Sequence, residues 1–207
     1  MMSFKKPAID YFFWVNSDWA YFGNPRLKAI SELYDVPVNV IPIDVSLVLA
    51  TTGGLPLEQR SKARQDYRLI ELKRYSALLQ MPINISPKHD RANCPLASLF
   101  LVAAIERGDC SIELIHAIMR ALWVEERDIE SKEELMTIAT TLGLEGSAIL
   151  SAAGSPEVAM KYKSNTERAI ESGAFGSPFY IFDREPFWGQ DRLHLLEMAV
   201  NRTISVR

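Results

Sequence analysis

A serine–proline pair stands directly before an apolar, aromatic stretch in the segment GAFGSPFYIF, which spans residues 173–182. The residues after Pro178 are aromatic and β-branched, and this composition predicts a buried strand. Proline has no N–H to donate, so it is excluded from the middle of a sheet but tolerated at the first residue of a strand. The fold must therefore accommodate a proline at the entrance to a buried strand.

The N-terminal part of the chain predicts a strand, a helix and a second strand. Residues 8–15 are aromatic and β-branched, which favours a buried strand. Residues 16–18 are Asn-Ser-Asp, all of them types that cap helix N-termini, and apolar residues then recur at helical spacing up to Tyr34. Residues 36–43 predict the second strand. For such a unit we expect a right-handed crossover.

The middle of the chain predicts helices. An amphipathic pattern over residues 58–80 is typical of a helix, and further helical segments follow it. Ser131 and Glu134 have the spacing of a capping box, which predicts a helix start. Pro156 predicts the first position of another helix, which runs to Glu171.

The last part of the chain returns to strands at residues 177–183 and 186–188, followed by a closing helix over 190–200. This is the order of a thioredoxin-like domain split by a helical subdomain. The predicted fold class is therefore α/β, a thioredoxin-like domain (βαβ…ββα) interrupted by an all-helical insertion. The predicted domains are residues 1–45 and 170–207 for the thioredoxin-like domain and 46–169 for the helical insertion subdomain.

In such a domain the proline that begins the third strand has a specific role. A cis Ser177–Pro178 bond would expose the backbone N–H and C=O of Ser177, which can pair with a bound peptide. We predict that this bond is cis, although the local sequence alone favours a trans proline. The exposed backbone would face the N-terminus of the first helix, where thioredoxins carry two cysteines and this chain has Asn-Ser-Asp-Trp at 16–19. The predicted site holds a sulfur of another molecule beside a hydroxyl.

Composition argues against several classes of function. A net charge of −3 gives no footprint for nucleic acid or an anionic membrane. No window approaches the roughly 20 apolar residues of a membrane span, and the N-terminus does not match a signal peptide. The two cysteines, Cys94 and Cys110, are expected to be buried thiols rather than a disulfide or a metal site. We predict a soluble cytoplasmic protein with no metal, nucleic-acid or membrane partner.

Three stretches resemble one group of enzymes. DYFFWVNSDWAYFG, residues 10–23, resembles the N-terminal motif of the 2-hydroxychromene-2-carboxylate isomerases and kappa-class glutathione transferases. AIESGAFGSPFYIFDREPFWGQDRLHLLEMAV, residues 169–200, is similar to their C-terminal signature of FG-x-P followed by WG-[NSQ]-DRL, and residues 121–144 resemble their middle. The resemblance implies a DsbA-like thioredoxin fold with a helical insertion, glutathione as cofactor, a small-molecule aromatic substrate and a homodimer.

The resemblance also implies roles for residues near the serine–proline pair. Ser17 is the predicted catalytic residue, because a hydroxyl at a helix N-terminus stabilises a thiolate. Taken alone, Ser17 is better explained as a helix cap. The backbone of Ser177, oriented by Pro178, is expected to pair with the cysteinyl part of glutathione.

The remaining cofactor-binding residues are predicted on the same grounds. Gln190 and Asp191 lie where the family holds the γ-glutamyl end of glutathione; the alternative for Asp191 is a favourable charge at a helix N-terminus. Lys62 is expected to meet a carboxylate of glutathione or of the substrate, and a solvated helix face explains it equally well.

Asp18 departs from the family pattern, which has a proline after the catalytic serine. Its carboxylate favours the helix start but opposes a lowered thiol pKa.

Three functions remain open. The motifs favour a glutathione-dependent isomerase of the 2-hydroxychromene-2-carboxylate type, which acts by reversible thiolate addition. The alternatives are a kappa-like glutathione transferase and a non-catalytic glutathione- or peptide-binding module.

Overall fold

A computed structural model describes residues 7–91 and 93–205. Residues 1–6 and 206–207 of the predicted thioredoxin-like domain lie outside this description. In chain order the elements are β1 (Ile9–Phe13), α1 (Asp18–Leu33), β2 (Val38–Pro42), α2 (Val45–Thr52), α3 (Lys62–Leu79), α4 (Pro95–Arg107), α5 (Ile112–Trp123), α6 (Lys132–Thr141), α7 (Gly146–Ala153), α8 (Pro156–Glu171), β3 (Phe179–Phe182), β4 (Glu185–Trp188) and α9 (Leu193–Ser205), with short 3-10 helices at Leu57–Gln59 and Gln190–Arg192.

The strands form one mixed sheet in the order β2-β1-β3-β4. β1 and β2 are parallel, as the crossover through α1 requires, and Ile9 lies opposite Val38. β3 is antiparallel to both β1 and β4, with Tyr11 opposite Tyr180. The βαβ unit, the helices and the ββα unit confirm the predicted fold class.

Both faces of the sheet are covered, and alternating residues of β1 serve the two faces. Tyr11 and Phe13 belong to the larger core, which includes residues of α1, α9 and the helices between the two β units. Phe12 points to the opposite face and joins a smaller core with Val48 of α2 and Ala169 of α8. Burial on both faces explains why β1 is almost continuously apolar.

The middle of the chain differs from the sequence prediction in two places. α2 was not predicted, because its sequence VSLVLATT combines β-branched residues with no helical periodicity; the Asp44 carboxylate caps it by accepting from the N–H groups of Ser46 and Leu47. The predicted helix over 58–80 is divided into the 3-10 helix Leu57–Gln59 and α3. Within the described residues, no helix combines the length and hydropathy of a membrane span.

A buried hydrogen bond fixes α1 to the sheet. The Tyr11 hydroxyl donates to Oδ1 of Asn24 at 2.7 Å, and Nδ2 of Asn24 donates to the Met119 sulfur at 3.2 Å. Tyr180 stacks on Tyr11 with ring centroids 5.2 Å apart, yet its buried hydroxyl has no hydrogen-bond partner among the described residues. Two adjacent, fully buried tyrosines therefore differ in whether their hydroxyl is paired.

This difference gives a matched test of how α1 is anchored. Tyr11→Phe leaves the buried Asn24 carbonyl without its donor, so we expect the free energy of unfolding to fall by about 1–3 kcal/mol. Tyr180→Phe removes a hydroxyl that has no partner in the described part of the chain and should be neutral or slightly stabilising. Urea denaturation of the two variants measures both values. Equal losses in the two variants would show that the Tyr11–Asn24 bond does not anchor α1.

Candidate active site

Ser17 lies between the N-terminus of α1 and the segment that enters β3. It is the N-cap of α1, where its Oγ accepts from the Ala20 N–H at 3.2 Å. The same hydroxyl donates to the backbone carbonyl of Ser177 at 3.3 Å. Ser17 is therefore a helix cap, as the simpler interpretation expected, and it is also in contact with the serine–proline pair.

The Ser177–Pro178 peptide bond is cis, which confirms the prediction. The Ser177 hydroxyl accepts from the Trp14 N–H at 2.8 Å, and the Pro178 carbonyl accepts from the Gly189 N–H at 2.9 Å. These bonds join the end of β1, the start of β3 and the end of β4. The backbone of Ser177 is thereby held against the N-terminus of α1.

A cavity of about 380 Å³ opens beside Ser17 and Ser177. Phe175 and Trp188 form part of its wall with their ring centroids 4.9 Å apart. Gly176 is a glycine because a Cβ at this position would lie 2.7 Å from Nε1 of Trp188. The aromatic residues that line the cavity are Trp14, Trp19, Trp123, Phe175 and Trp188.

The cavity also contains charged groups of both signs. Most of them come from the insertion and were not predicted from the sequence. The charged residues that line the cavity in the described part of the chain are Asp18, Glu58, Arg60, Arg68, Asp90 and Arg91.

Asp18, the residue next to Ser17, is almost fully buried and forms an ion pair with Arg68 of α3. Its other oxygen, Oδ1, accepts from the Trp19 N–H at 2.7 Å. Burial raises the pKa of the Asp18 carboxyl above its usual value, while the Arg68 guanidinium and the Trp19 N–H oppose the rise. The nearby Asp90 carboxylate adds to the rise. Arg68 therefore stabilises the ionised form of the Asp18 carboxyl, which burial disfavours.

Asn16 connects the end of β1 to the segment between α3 and α4. Its buried Nδ2 donates to Oδ1 of Asp90 at 2.9 Å and to the backbone carbonyl of Arg91 at 2.6 Å. Arg91 in turn pairs with Asp128 at 2.5 Å. This network holds Asp90 and Arg91 at one side of the cavity.

Arg60 contributes a second cation near Arg68. Its Nε donates to the Leu55 carbonyl at 2.9 Å, which orients the side chain. Burial lowers the pKa of Arg60, and the neighbouring Arg64 and Arg68 lower it further because like charges repel. An anion bound here would relieve that repulsion.

Pro178 adjoins the cavity through Ser177 without lining it, and three further residues predicted to bind the cofactor are not part of the lining. The Lys62 side chain is 80% exposed and pairs with Asp66 one turn along α3. Gln190 is buried on the far side of α1, beside Gly23, where its side-chain carbonyl accepts from Arg26 at 3.2 Å. The Asp191 carboxylate pairs with Arg192. The structure thus brings Ser17, Ser177 and Pro178 together, while these three side chains make other contacts.

The described residues contain no cluster of three or more His, Cys, Asp or Glu side chains suited to a metal ion. The positions that sequence reasoning missed are Asn16, Arg60, Arg68 and Asp90. The Asn16–Asp90 and Arg68–Asp18 contacts cross from the insertion to the end of β1 and to α1, whereas Arg60 bonds to Leu55 within the insertion. No local motif marks Arg60, Arg68 or Asp90.

Comparison with known proteins places these features in context. The DSBA-like thioredoxin domain family matches residues 8–201. The chain is 26% identical over 197 residues to a 2-hydroxychromene-2-carboxylate isomerase of Pseudomonas putida, which covers 94% of both chains. It is 24% identical over 192 residues to an isomerase of the same name from Sphingobium xenophagum, which covers 92% of this chain and 96% of that one.

Solved structures show the same fold. A structure of 2-hydroxychromene-2-carboxylate isomerase superimposes with a TM-score of 0.81 at 24% identity and covers 95% of both chains. The cytosolic disulfide reductase DsbM from Pseudomonas aeruginosa with GSH superimposes with a TM-score of 0.64 at 18% identity, covering 94% of this chain and 99% of that one.

The Asn16 network gives a prediction about the wall of the cavity. Asn16→Ala removes the two hydrogen bonds to Asp90 and Arg91, each typically contributing about 0.5–1.5 kcal/mol, so the backbone amides of these two residues should exchange with solvent roughly tenfold faster or more. Asn39→Ala, which removes an exposed bond to Asp10, serves as control and should leave these amides unchanged. Hydrogen exchange followed by mass spectrometry makes the comparison. Unchanged exchange in Asn16→Ala would mean that other contacts hold this segment.

Proposed function

The chain belongs to the DSBA-like thioredoxin domain family, and we propose that it is a glutathione-dependent isomerase of the 2-hydroxychromene-2-carboxylate type. The observation that carries the proposal is the position of Ser17, whose hydroxyl lies at a helix N-terminus and contacts the backbone of Ser177 at the edge of an aromatic cavity. Full-length relatives named as isomerases support the choice of reaction.

The groups around Ser17 fit a thiol cofactor. The Ser17 hydroxyl donates to the Ser177 carbonyl over a long 3.3 Å, so a stronger acceptor beside it would readily take this hydrogen bond. The macrodipole of α1 stabilises a negative charge at this position by about 0.3–1 kcal/mol. The backbone of Ser177 offers strand-like pairing to the cysteinyl part of a tripeptide.

Glutathione, when bound, supplies the thiolate that adds reversibly to a conjugated double bond and permits rotation before elimination. Ser17 and the first turn of α1 keep this sulfur ionised and in place. The aromatic side chains of the cavity exclude water and pack against a planar substrate. Arg60 is the cation that we assign to a carboxylate of glutathione or of the substrate, since it lies in the cavity lining and Lys62 does not.

The γ-glutamyl end remains assigned to Asp191, with Gln190 beside it. The hydrogen bond between the Pro178 carbonyl and the Gly189 N–H places the end of β4 beside the serine–proline pair. An extended tripeptide paired with Ser177 would therefore pass Trp188 and Gly189 on its way to Asp191. Binding there requires Asp191 to share its carboxylate between Arg192 and an ammonium. Gln190 would act through its backbone, since its side chain is buried against α1.

A thiol–disulfide function is less well supported. Burial raises the pKa of both Cys94 and Cys110 to about 12, so neither is a thiolate near neutral pH. Neither cysteine lines the cavity.

A kappa-like transferase and a non-catalytic glutathione-binding module would use the same site. They differ from the isomerase only in what happens to the substrate and to glutathione. A homodimer and a cytoplasmic location belong to the same proposal.

The deciding experiment follows 2-hydroxychromene-2-carboxylate with glutathione present in an amount far below that of the substrate. Complete isomerisation with recovery of all the glutathione supports the isomerase. Formation of a stable conjugate of glutathione with the substrate, one molecule for each glutathione consumed, supports the transferase. Binding of glutathione without either product supports the non-catalytic module.

Removal of the Ser17 hydroxyl tests its role at the sulfur. Ser17→Ala should raise the pKa of bound glutathione by about 1–2 units, since a charge-assisted hydrogen bond contributes about 1.5–3 kcal/mol. Activity should fall most near neutral pH and recover partly at higher pH, where the thiolate forms without help. The ultraviolet absorbance of the thiolate reports this pKa directly.

Ser131→Ala is the matched control, because Ser131 caps α6 by the same geometry, with its Oγ accepting from the Glu134 N–H at 3.3 Å. Both variants should lose about 1 kcal/mol of stability. Only Ser17→Ala should change the thiol pKa. An unaltered activity-versus-pH profile in Ser17→Ala would reduce Ser17 to a helix cap.

The choice of Arg60 over Lys62 is tested by a second pair of variants. Arg60→Ala should weaken either glutathione binding or the kcat/KM for the substrate by about 10- to 100-fold, as expected for a lost bond to a charged group. Lys62→Ala removes an exposed ion pair and should change neither quantity appreciably. Calorimetry and steady-state kinetics show which carboxylate is affected. If Arg60→Ala behaves like Lys62→Ala in both measurements, the assignment to Arg60 is wrong.

A further inference from the structure

The carboxylate of Asp18 creates an electrostatic difficulty in the proposed site. Asp18 follows Ser17 directly, is only 4% exposed and lines the same cavity. A carboxylate this close to a thiolate raises the thiol pKa, because two negative charges repel. The chain must therefore compensate Asp18 if the sulfur beside Ser17 is to ionise.

The structure shows how this compensation is made. Arg68 approaches Asp18 from α3, and its side chain is only 18% exposed, so solvent screens the pair weakly. The other charged groups that face Asp18 are Asp90 on the segment after α3, and Glu58 and Arg60 near the 3-10 helix. Arg91 also lines the cavity, but its guanidinium pairs with Asp128.

Arg68 is one of two cations that oppose three carboxylates in the lining. Asp18, Glu58 and Asp90 supply the carboxylates, and Arg60 and Arg68 supply the guanidinium groups, since Arg91 pairs with Asp128 outside the lining. Loss of Arg68 would leave a larger excess of negative charge, with the unpaired carboxylate adjacent to Ser17. Only Leu72 is fully buried among the described side chains of α3, and this helix meets α1 through the Arg68–Asp18 pair and through Tyr75, whose ring packs edge-on against Trp19 with centroids 5.6 Å apart.

We propose that Arg68 is a positioning residue of the reaction: it holds the Asp18 carboxylate against α3 and cancels its charge, so that a thiolate can form beside Ser17. This inference rests on the proposed function. It makes α3 of the insertion part of the thiolate-stabilising machinery, and it explains how the chain tolerates an aspartate where the family that it resembles has a proline.

The test measures the thiol pKa of bound glutathione by thiolate absorbance in the parent protein, Arg68→Met, Asp18→Asn and the double variant. Arg68→Met should raise this pKa by about 1 unit, because the carboxylate is left uncompensated. Asp18→Asn should lower it by about 1 unit, because the guanidinium then acts on the thiolate without opposition. The double variant should return close to the parent value. Arg68→Lys keeps the charge and should retain most of the parent behaviour.

The opposite signs distinguish compensation from a purely structural role. If both single variants shift the thiol pKa in the same direction, or if Arg68→Met leaves it unchanged while glutathione still binds, the inference is overturned. Should Arg68→Met fail to fold, the comparison of Asp18→Asn with the double variant remains decisive, because neither leaves a buried unpaired carboxylate. In that comparison, loss of Arg68 must raise the thiol pKa by about 1 unit.

A parent protein that binds no glutathione, or binds it with an unshifted thiol pKa, contradicts the proposed function itself and the present inference with it. A parent with a lowered thiol pKa and variants that do not differ from it contradicts the inference alone.

Discussion

The hydrogen bond from the Ser17 hydroxyl to the Ser177 carbonyl joins the two parts of the molecule on which the site depends. One part is the N-terminus of α1, where the macrodipole favours negative charge. The other is the Ser177–Pro178 segment, which has a cis peptide bond and leads into β3. These parts are far apart in the sequence, and the four-stranded sheet brings them together by pairing β1 with β3. The aromatic walls and the charges of the cavity are arranged around this contact.

The insertion completes the site and does more than cover the thioredoxin-like core. Arg68 of α3 pairs with Asp18, and Asp90 accepts from Asn16, so residues of the insertion reach both neighbours of Ser17. Arg60 adds a cation in the same cavity. A fold shared with solved disulfide reductase structures thus carries a serine hydroxyl and a paired carboxylate at the N-terminus of α1. A common backbone plan can carry different side chains at the same position.

Much of the fold and the centre of the site follow from local sequence signals. The aromatic strand, the N-cap residue before α1, the helix start after Ser131 and the proline before β3 each act over a few residues, and each is found where it was predicted. Of the capping box only the serine half is present, because Glu134 pairs with Arg127 and the Ser131 N–H donates to the Asp128 carbonyl. The pairs that shape the cavity are different, because Asp18 and Arg68 are 50 positions apart and Asn16 and Asp90 are 74 apart. No periodicity or motif connects such residues. For the same reason the sequence did not place Gln190, whose side chain packs against α1. Lys62 pairs with Asp66 one turn along α3, on the solvated helix face that was the equal alternative for it.

The central claim is that a glutathione sulfur lies between the N-terminus of α1 and the Ser177 backbone. A crystal structure of the protein with glutathione tests it most directly. The account predicts the sulfur within hydrogen-bonding distance of Ser17 Oγ, with the cysteinyl backbone paired to Ser177. Glutathione bound elsewhere, or bound here with its sulfur directed away from Ser17, would contradict the account.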